Sequence, residues 1–324
     1  MPLKANDYHN HLKLKTKAQI CYFLLFLSVF FDKKATTSFK LAVVVVTLQC
    51  LKGRRGNAGI FRIQNMKKQI KDYVVRSNER LSDSYSLLKL QPADGSAVID
   101  TCAGQFVEVE VPDSKTTFLR RPISINFVDR DRNELWLLVR VAGEGTRHLV
   151  ALAEGRVLSL VLPLGKGFSI PADTVSKVLL AGGGVGVAPM LYLGSELKKR
   201  GFEVAFLLGA RSKGDLLELE EFEKIGCVYV STDDGSMGEH GLITKNSALQ
   251  KSWQMLYCCG PMPMMKAMAA YAMRNNIECE VSLENRMACG VGACLCCVED
   301  TVEGNLCVCK EGPVFNIKRL KWQI

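Results

Sequence analysis

No apolar stretch in this chain is long enough to cross a bilayer, and no histidine stands near its densest group of cysteines. The two longest apolar runs, residues 20–31 and 41–48, are separated by Asp32, Lys33, Lys34 and Lys40. Each falls well short of the roughly 20 residues that a spanning helix needs. A small-residue cleavage site of the A-x-A kind is also missing after the first run, which argues against a secretory signal despite the basic residues before it. An excess of positive charge is missing too, once it is located. Residues 1–65 hold 11 Lys/Arg against Asp7 and Asp32, leaving 31 of the 42 basic and 31 of the 33 acidic residues for the other 259 positions. The formal net charge of +9 is therefore no sign of a nucleic-acid surface on the folded body.

What is present is the composition of a globular protein: 324 residues, 48% hydrophobic and 23% charged, enough for about two domains with cores of their own. The 13 cysteines are odd in number, include the adjacent pairs Cys258/Cys259 and Cys296/Cys297, and crowd six to the segment 289–309. That distribution excludes an extracellular disulfide framework and points to a reducing compartment with a metal or cluster. Residues 1–65 share neither charge balance nor periodicity with the rest. They read as an unstructured or spurious extension, translated upstream of an initiator at Met66.

From Met66 onward three modules follow. In residues 66–171, period-two runs such as Phe106-Val107-Glu108-Val109-Glu110-Val111 and Glu134-Leu135-Trp136-Leu137-Leu138-Val139-Arg140, broken at Gly95, Pro112 and Gly143, predict antiparallel strands in numbers suited to a small barrel. In residues 172–278 continuous apolar strands at 177–181, 204–208, 228–231 and 255–258 alternate with helical patterns, the first helix running through Leu191, Leu193 and Leu197 to Gly201. That alternation predicts a doubly wound parallel sheet. Residues 279–324 are Gly- and Cys-rich and too few to fold without a metal. The fold class is thus a multidomain α+β chain: barrel, α/β nucleotide domain, small cluster domain.

Several motifs carry chemistry. Gly182-Gly183-Gly184-Val185-Gly186 follows a strand and opens a helix with Pro189 in its first turn, so its N–H groups can face a pyrophosphate. A strict G-x-G-x-x-G is absent, and Gly209-Ala210-Arg211 stands where an acid would meet a ribose hydroxyl, which leaves NADH and NADPH undivided. Cys259-Gly260-Pro261 ends a second strand at the same sheet edge, with Cys259 near a nicotinamide as the nearest approach to a catalytic residue. Arg121 and Ser124 can bracket a phosphate or a flavin edge, and Gly145 permits close approach of backbone.

The strongest signal is Cys289-Gly290-Val291-Gly292-Ala293-Cys294-Leu295-Cys296-Cys297. Cys289, Cys294 and Cys297 give C-x4-C-x2-C, the plant-type spacing for a [2Fe-2S] cluster, with Cys307 and Cys309 downstream to supply a fourth thiolate. Zinc would favour two C-x-x-C pairs, and a Rieske centre needs histidines that His148 and His240 are too far away to provide. Two residues apart, Cys307 and Cys309 would share one side of a strand. Met287, Val291, Leu295 and Val298 give the loop apolar side chains suited to docking another protein.

Together these stretches resemble the ferredoxin-NADP reductase superfamily. Over residues 67–324 they are most similar to the electron-transfer subunits of NAD-dependent (B-type) dihydroorotate dehydrogenases. The resemblance is carried by the stretches 119–125, 140–146, 163–168 and 232–236, by Glu284-Asn285-Arg286-Met287-Ala288-Cys289 and by Cys309-Lys310-Glu311-Gly312-Pro313. Residues 1–65 have no counterpart in it. It implies an oxidoreductase subunit of pyrimidine biosynthesis that relays electrons between NAD(H), FAD and a [2Fe-2S] cluster. Their destination is the FMN of a separate catalytic subunit, in a cytoplasmic heterotetramer of two plus two, with no nucleic acid or membrane involved. By match to the family, Arg121, Pro122, Ile123, Ser124, Leu138, Val139, Arg140, Gly145 and Thr146 hold FAD. Gly182, Gly183, Gly184, Gly186, Cys259, Gly260 and Pro261 approach the nicotinamide nucleotide. Cys289, Cys294, Cys297 and Cys309 ligate the cluster, leaving Cys296 and Cys307 as spectators. Nothing in the chain offers a base for dihydroorotate. Two rivals stand beside this reading: a subunit of an electron-bifurcating ferredoxin-NADP reductase, sulfide dehydrogenase or hydrogenase complex, and a zinc-stabilised adaptor. In the bifurcating reductases an Asp replaces the first cluster cysteine, whereas Cys289 stands here.

Overall fold

The structure is a computed structural model, which describes residues 67–323. The expectation for residues 1–65 and an initiator at Met66 lies outside the described residues.

Six antiparallel strands open the described chain: β1 (Gln69–Arg80), β2 (Tyr85–Pro92), β3 (Phe106–Val109), β4 (Arg121–Asp129), β5 (Glu134–Arg140) and, after helix α1 (Glu144–Val150), β6 (Val157–Leu164). They close into a barrel in the order β1-β2-β5-β4-β3-β6. Closure follows from the alternation: Val107, Val109, Leu158, Leu160 and Leu162 are all buried in one core, so each strand contributes its apolar face and no edge is left unpaired.

The strands change from alternating to continuously apolar after β6, as expected for a sheet covered on both faces. β7 (Lys177–Gly183), α2 (Ala188–Lys199), β8 (Glu203–Ala210), α3 (Leu219–Ile225), β9 (Cys227–Thr232), the two-residue β10 (Glu239–His240), β11 (Met255–Cys259), α4 (Met262–Arg274) and β12 (Glu278–Ser282) follow in turn. The last segment adds the hairpin β13 (Val298–Thr301) and β14 (Gly304–Cys307), the single helical turn α5 (Val308–Glu311) and β15 (Val314–Asn316). The sheet order is β10-β9-β8-β7-β11-β12-β15, parallel throughout except that β15 runs antiparallel to β12. Strand β12 spans the point where the nucleotide and cluster modules divide in the sequence, and β15 adds a further strand from the cluster segment to the nucleotide sheet.

Strand order reverses between β7 and β11, and these two are direct neighbours with Gly182 opposite Cys259. Their carboxyl ends therefore flank the topological switch point, where α/β sheets bind ligands. The barrel rests on this sheet through α2. Tyr192 on α2 donates to the Thr101 carbonyl at 3.1 Å and stacks edge-on to Phe127 of β4 at 6.1 Å. The cluster segment is clasped to the barrel where Lys166 N donates to Gly312 O at 2.5 Å.

Candidate functional site

Two adjacent arginines stand at the mouth of the barrel with different surroundings. Arg120 is committed to the fold, donating to Glu110 at 2.8 Å and to the Ser159 carbonyl at 2.6 Å. Among the described residues Arg121 makes one hydrogen bond, a long one of 3.4 Å to the Arg120 carbonyl. Its guanidinium lies over Gly145, where a Cβ would collide with Arg121 Nε. Gly145 is thus required by the arginine above it, and the arginine keeps its donors for an anion. Thr146, by contrast, uses its hydroxyl locally: it accepts from Ala142 N at 2.8 Å and Gly143 N at 3.1 Å, capping the first turn of α1. Leu138 and Val139 are buried in the barrel core, so a ligand can meet only their backbone. Arg140, the last residue of β5, points out into a cavity.

That cavity, of about 410 Å³, lies between barrel and sheet and joins Tyr85 and Arg140 of the barrel to Gly183, Gly184, Arg211 and Pro261 of the sheet edge. The other glycines build its wall. A Cβ on Gly186 would stand 2.5 Å from the Cys259 carbonyl carbon and 2.6 Å from Gly260 N. A Cβ on Gly183 would stand 2.5 Å from Met264 Sδ. The two glycine turns read separately in the sequence are thus one packed unit, each needing the other's missing side chains. Gly184 takes a left-handed φ of +56° at the start of the turn into α2, with the Tyr85 hydroxyl across from it. Sequence reasoning missed Tyr85, whose only signal is that β2 pairs it directly with Arg140.

Cys259 sits behind this wall with its thiol raised well above the usual range, first by burial, then by Glu284, while the Ser282 hydroxyl works against the rise. It is a neutral thiol, not a thiolate nucleophile. Burial raises the Glu284 carboxyl, and Arg140 opposes that rise. Residues of the barrel, the nucleotide sheet and the cluster segment thus act on one another's charge here.

The cysteines of the C-terminal loop pair off. Gly290, Gly292 and Leu295 adopt left-handed φ of +64°, +86° and +58°, which folds the loop so that backbone N–H groups turn inward. Cys289 Sγ accepts from Ala293 N at 3.3 Å and Cys294 N at 3.4 Å. Burial works to raise this thiol, but the peptide N–H groups of Val291, Cys294 and Ala293 and the Cys294 thiol hold it down at about 6. A group of amide donors around a sulfur suits a thiolate ligand. On the other side Cys309 N donates to Cys297 Sγ at 3.3 Å, both residues being buried. Burial, then the Cys297 side chain, raises the Cys309 thiol to about 12. Among the described residues no three of these side chains have gathered to metal-binding distance; the sulfurs stand as two pairs, Cys289/Cys294 and Cys297/Cys309. The donor set is all sulfur and fits an iron-sulfur cluster better than a hard cation.

One expectation needs correction. Cys307 and Cys309 do not share one side of a strand, because β14 ends at Cys307 and Cys309 lies in the helical turn α5. Cys307 is still extended and the helical turn begins only at Val308, so the strand alternation is lost: Cys309 is buried, while Cys307 is half-exposed with its thiol 3.9 Å from the Gly292 carbonyl. Cys296 is exposed.

Comparison with known proteins places this arrangement. Residues 284–321 match the family model described as the iron-sulfur cluster binding domain of dihydroorotate dehydrogenase B, and residues 180–270 match the oxidoreductase NAD-binding domain. A relative from Shouchella clausii, named dihydroorotate dehydrogenase B (NAD(+)), electron transfer subunit, is 38% identical over 78% of this chain and 97% of its own length. The chain belongs to the electron-transfer subunits of the B-type dihydroorotate dehydrogenases. A Fusobacterium nucleatum relative of the same name is 36% identical over 76% of this chain and 96% of its own. Among solved structures, an NADH-dependent reduced ferredoxin-NADP oxidoreductase from work on flavin-based electron bifurcation superposes with a TM-score of 0.69 at 26% identity, over 77% of this chain and 90% of that one. The cytochrome b5 reductase domain of Ulva prolifera nitrate reductase shares the fold alone, at 16% identity and a TM-score of 0.55, over 65% of this chain and 94% of that one. For a member of this family the cofactors are FAD, a [2Fe-2S] cluster and NAD(H), and the partner is a catalytic dihydroorotate dehydrogenase subunit.

Proposed function

We propose that this chain carries electrons between NADH and the FMN of the dihydroorotate dehydrogenase catalytic subunit, in the step of pyrimidine synthesis that forms orotate. The observation that carries the reading is continuity: the barrel end that holds Arg121 and Arg140 abuts the glycine-walled cavity on one side and the cysteine loop on the other. When bound, FAD supplies the exchange between hydride and single electrons, and the cluster supplies one-electron conduction. Every other role belongs to the chain. Arg121 binds the FAD pyrophosphate, with Pro122, Ile123, Ser124 and the backbone of Leu138 and Val139 along the flavin, and Gly145 and Thr146 shape the turn below it. Gly182, Gly183, Gly184 and Gly186 with Cys259, Gly260 and Pro261 admit the nicotinamide nucleotide, and the neutral Cys259 thiol offers it an uncharged wall. Arg140 stands at the junction and orients both.

Cys289, Cys294, Cys297 and Cys309 would hold the cluster, with Cys296 and Cys307 outside the ligand set. Around them Val291 and Leu295 are 41% and 66% exposed, an apolar rim that fits the FMN-bearing partner in an assembly of two plus two. Among the described residues no helix is long and apolar enough to cross a membrane, and we place the complex in the cytoplasm, where free thiols persist. The absorption spectrum of the purified chain tests the site: flavin bands together with [2Fe-2S] bands are expected, and a colourless protein overturns the reading.

A further inference from the structure

Strand β3 presents two different faces. Val107 and Val109 pack into the barrel core, while Phe106, on the opposite face, packs with Leu164, Cys297 and Cys309 under the cysteine loop. Glu108 lies on that same outward face by the two-residue period, and an apolar side chain there would continue the surface begun by Phe106. A carboxyl stands there instead, 2% exposed, with neither oxygen hydrogen-bonded to any described residue. Burying such a group unpartnered is costly. What it touches explains its presence: a Cβ on Gly290 would lie 2.6 Å from Glu108 Cγ and 3.0 Å from its Oε1. Gly290 follows Cys289 directly. On the strand itself Glu108 is registered opposite Pro122, inside the segment that begins with Arg121. One side chain therefore reaches from the strand paired with the flavin segment to the backbone of the cluster loop.

We propose that Glu108 is a positioning residue for the flavin-to-cluster step, the length and shape of its packed side chain seating the cluster loop at Gly290 against the strand that pairs with the flavin segment. The proposal rests on the relay reading above and adds the part that fixes the spacing of the two centres. Gln keeps the length and the planar end, Asp keeps the carboxyl but withdraws it by one methylene, and Leu puts branched methyls where the planar end lay. The test uses the full chain purified with its flavin and cluster, as wild type, Glu108→Gln, Glu108→Asp and Glu108→Leu. Rapid mixing with NADH under anaerobic conditions separates flavin reduction from the arrival of electrons at the cluster, and EPR records the reduced cluster. Flavin reduction should stay within about twofold of wild type in all three. Electron arrival at the cluster should slow about tenfold or more in Glu108→Leu and by several fold in Glu108→Asp, with altered cluster EPR spectra in both, while Glu108→Gln restores rate and spectrum. A wild-type cluster spectrum and transfer rate in both Glu108→Leu and Glu108→Asp overturns the proposal, as does a parallel slowing of both steps. A wild-type chain without any cluster signal sinks the relay reading itself, and this proposal with it. If Glu108→Leu fails to fold, Glu108→Asp against Glu108→Gln decides alone.

Discussion

The peptide N–H of Cys309 points at Cys297 Sγ from 3.3 Å, although Cys309 lies 12 positions further along the chain, beyond a complete hairpin. The contact exists because β14 ends in the turn α5, which buries Cys309 and leaves Cys307 half-exposed beside the Gly292 carbonyl. Serine substitutions of the six loop cysteines should therefore fall into two groups. Cys289→Ser, Cys294→Ser, Cys297→Ser and Cys309→Ser should each remove or strongly alter the [2Fe-2S] absorption and EPR signals, while Cys296→Ser and Cys307→Ser retain them. A cluster lost in Cys307→Ser but kept in Cys309→Ser would show the fourth ligand to be misassigned.

Arg121→Ala should weaken FAD retention about tenfold or more, since a charge-assisted contact to a phosphate contributes about 1.5 to 3 kcal/mol. Arg120→Ala should instead lower stability, because its donors are already committed to Glu110 and Ser159. Flavin content after gel filtration and a flavin titration separate the two effects. Equal flavin affinity in Arg121→Ala and wild type would remove Arg121 from the site.

Gly186→Ala forces a methyl to 2.5 Å from the Cys259 carbonyl carbon. Backbone on both sides of the contact leaves nothing flexible to yield, so a loss of about 1 to 3 kcal/mol of stability is expected. The KM for NADH should rise because the same contact shapes the nucleotide wall, while FAD content should hold, since the Arg121 site lies elsewhere. Unchanged stability and KM would show that the two turns are not packed as one unit.

Glu218 makes stability depend on pH. Burial raises its carboxyl to about 7, opposed by the hydrogen bond from Asn126 and reinforced by Glu221; Asn126 Nδ2 donates to it at 2.8 Å across the barrel–sheet seam. The folded chain then keeps a proton that the unfolded chain releases above about 4.5, so this group subtracts stability as pH rises toward 7 and nothing further above it. Glu218→Gln removes the titration and keeps an acceptor for Asn126. The variant should match wild type near pH 5 and exceed it by about 1 to 2 kcal/mol near pH 8. Denaturant midpoints that run parallel across that range would contradict the assignment.

Much of the nucleotide sheet was legible because its strands are continuous apolar runs bounded by glycine. The runs at 204–208, 228–231 and 255–258 lie within β8, β9 and β11. The cluster loop was legible because ligand spacing is a local property. What the sequence did not show depends on contacts between distant segments. The pairing of β15 with β12 leaves no local trace. The burial of Glu108 was hidden because alternation says which face a residue takes but not what later covers that face. The inward turn of Cys309 was misread because α5 is four residues long, too short to show a helical period. Thr146 matched the family's flavin motif, yet its hydroxyl is spent on the helix it begins.

The central claim is that electrons from NADH leave this chain for a dihydroorotate dehydrogenase catalytic subunit. The most direct measurement mixes the purified holo-chain with the FMN-bearing subunit under anaerobic conditions and follows the conversion of orotate to dihydroorotate driven by NADH. Turnover with both proteins present and none with either alone is the predicted result. A chain that carries FAD and cluster, accepts electrons from NADH and still fails to drive orotate reduction by that partner would contradict it.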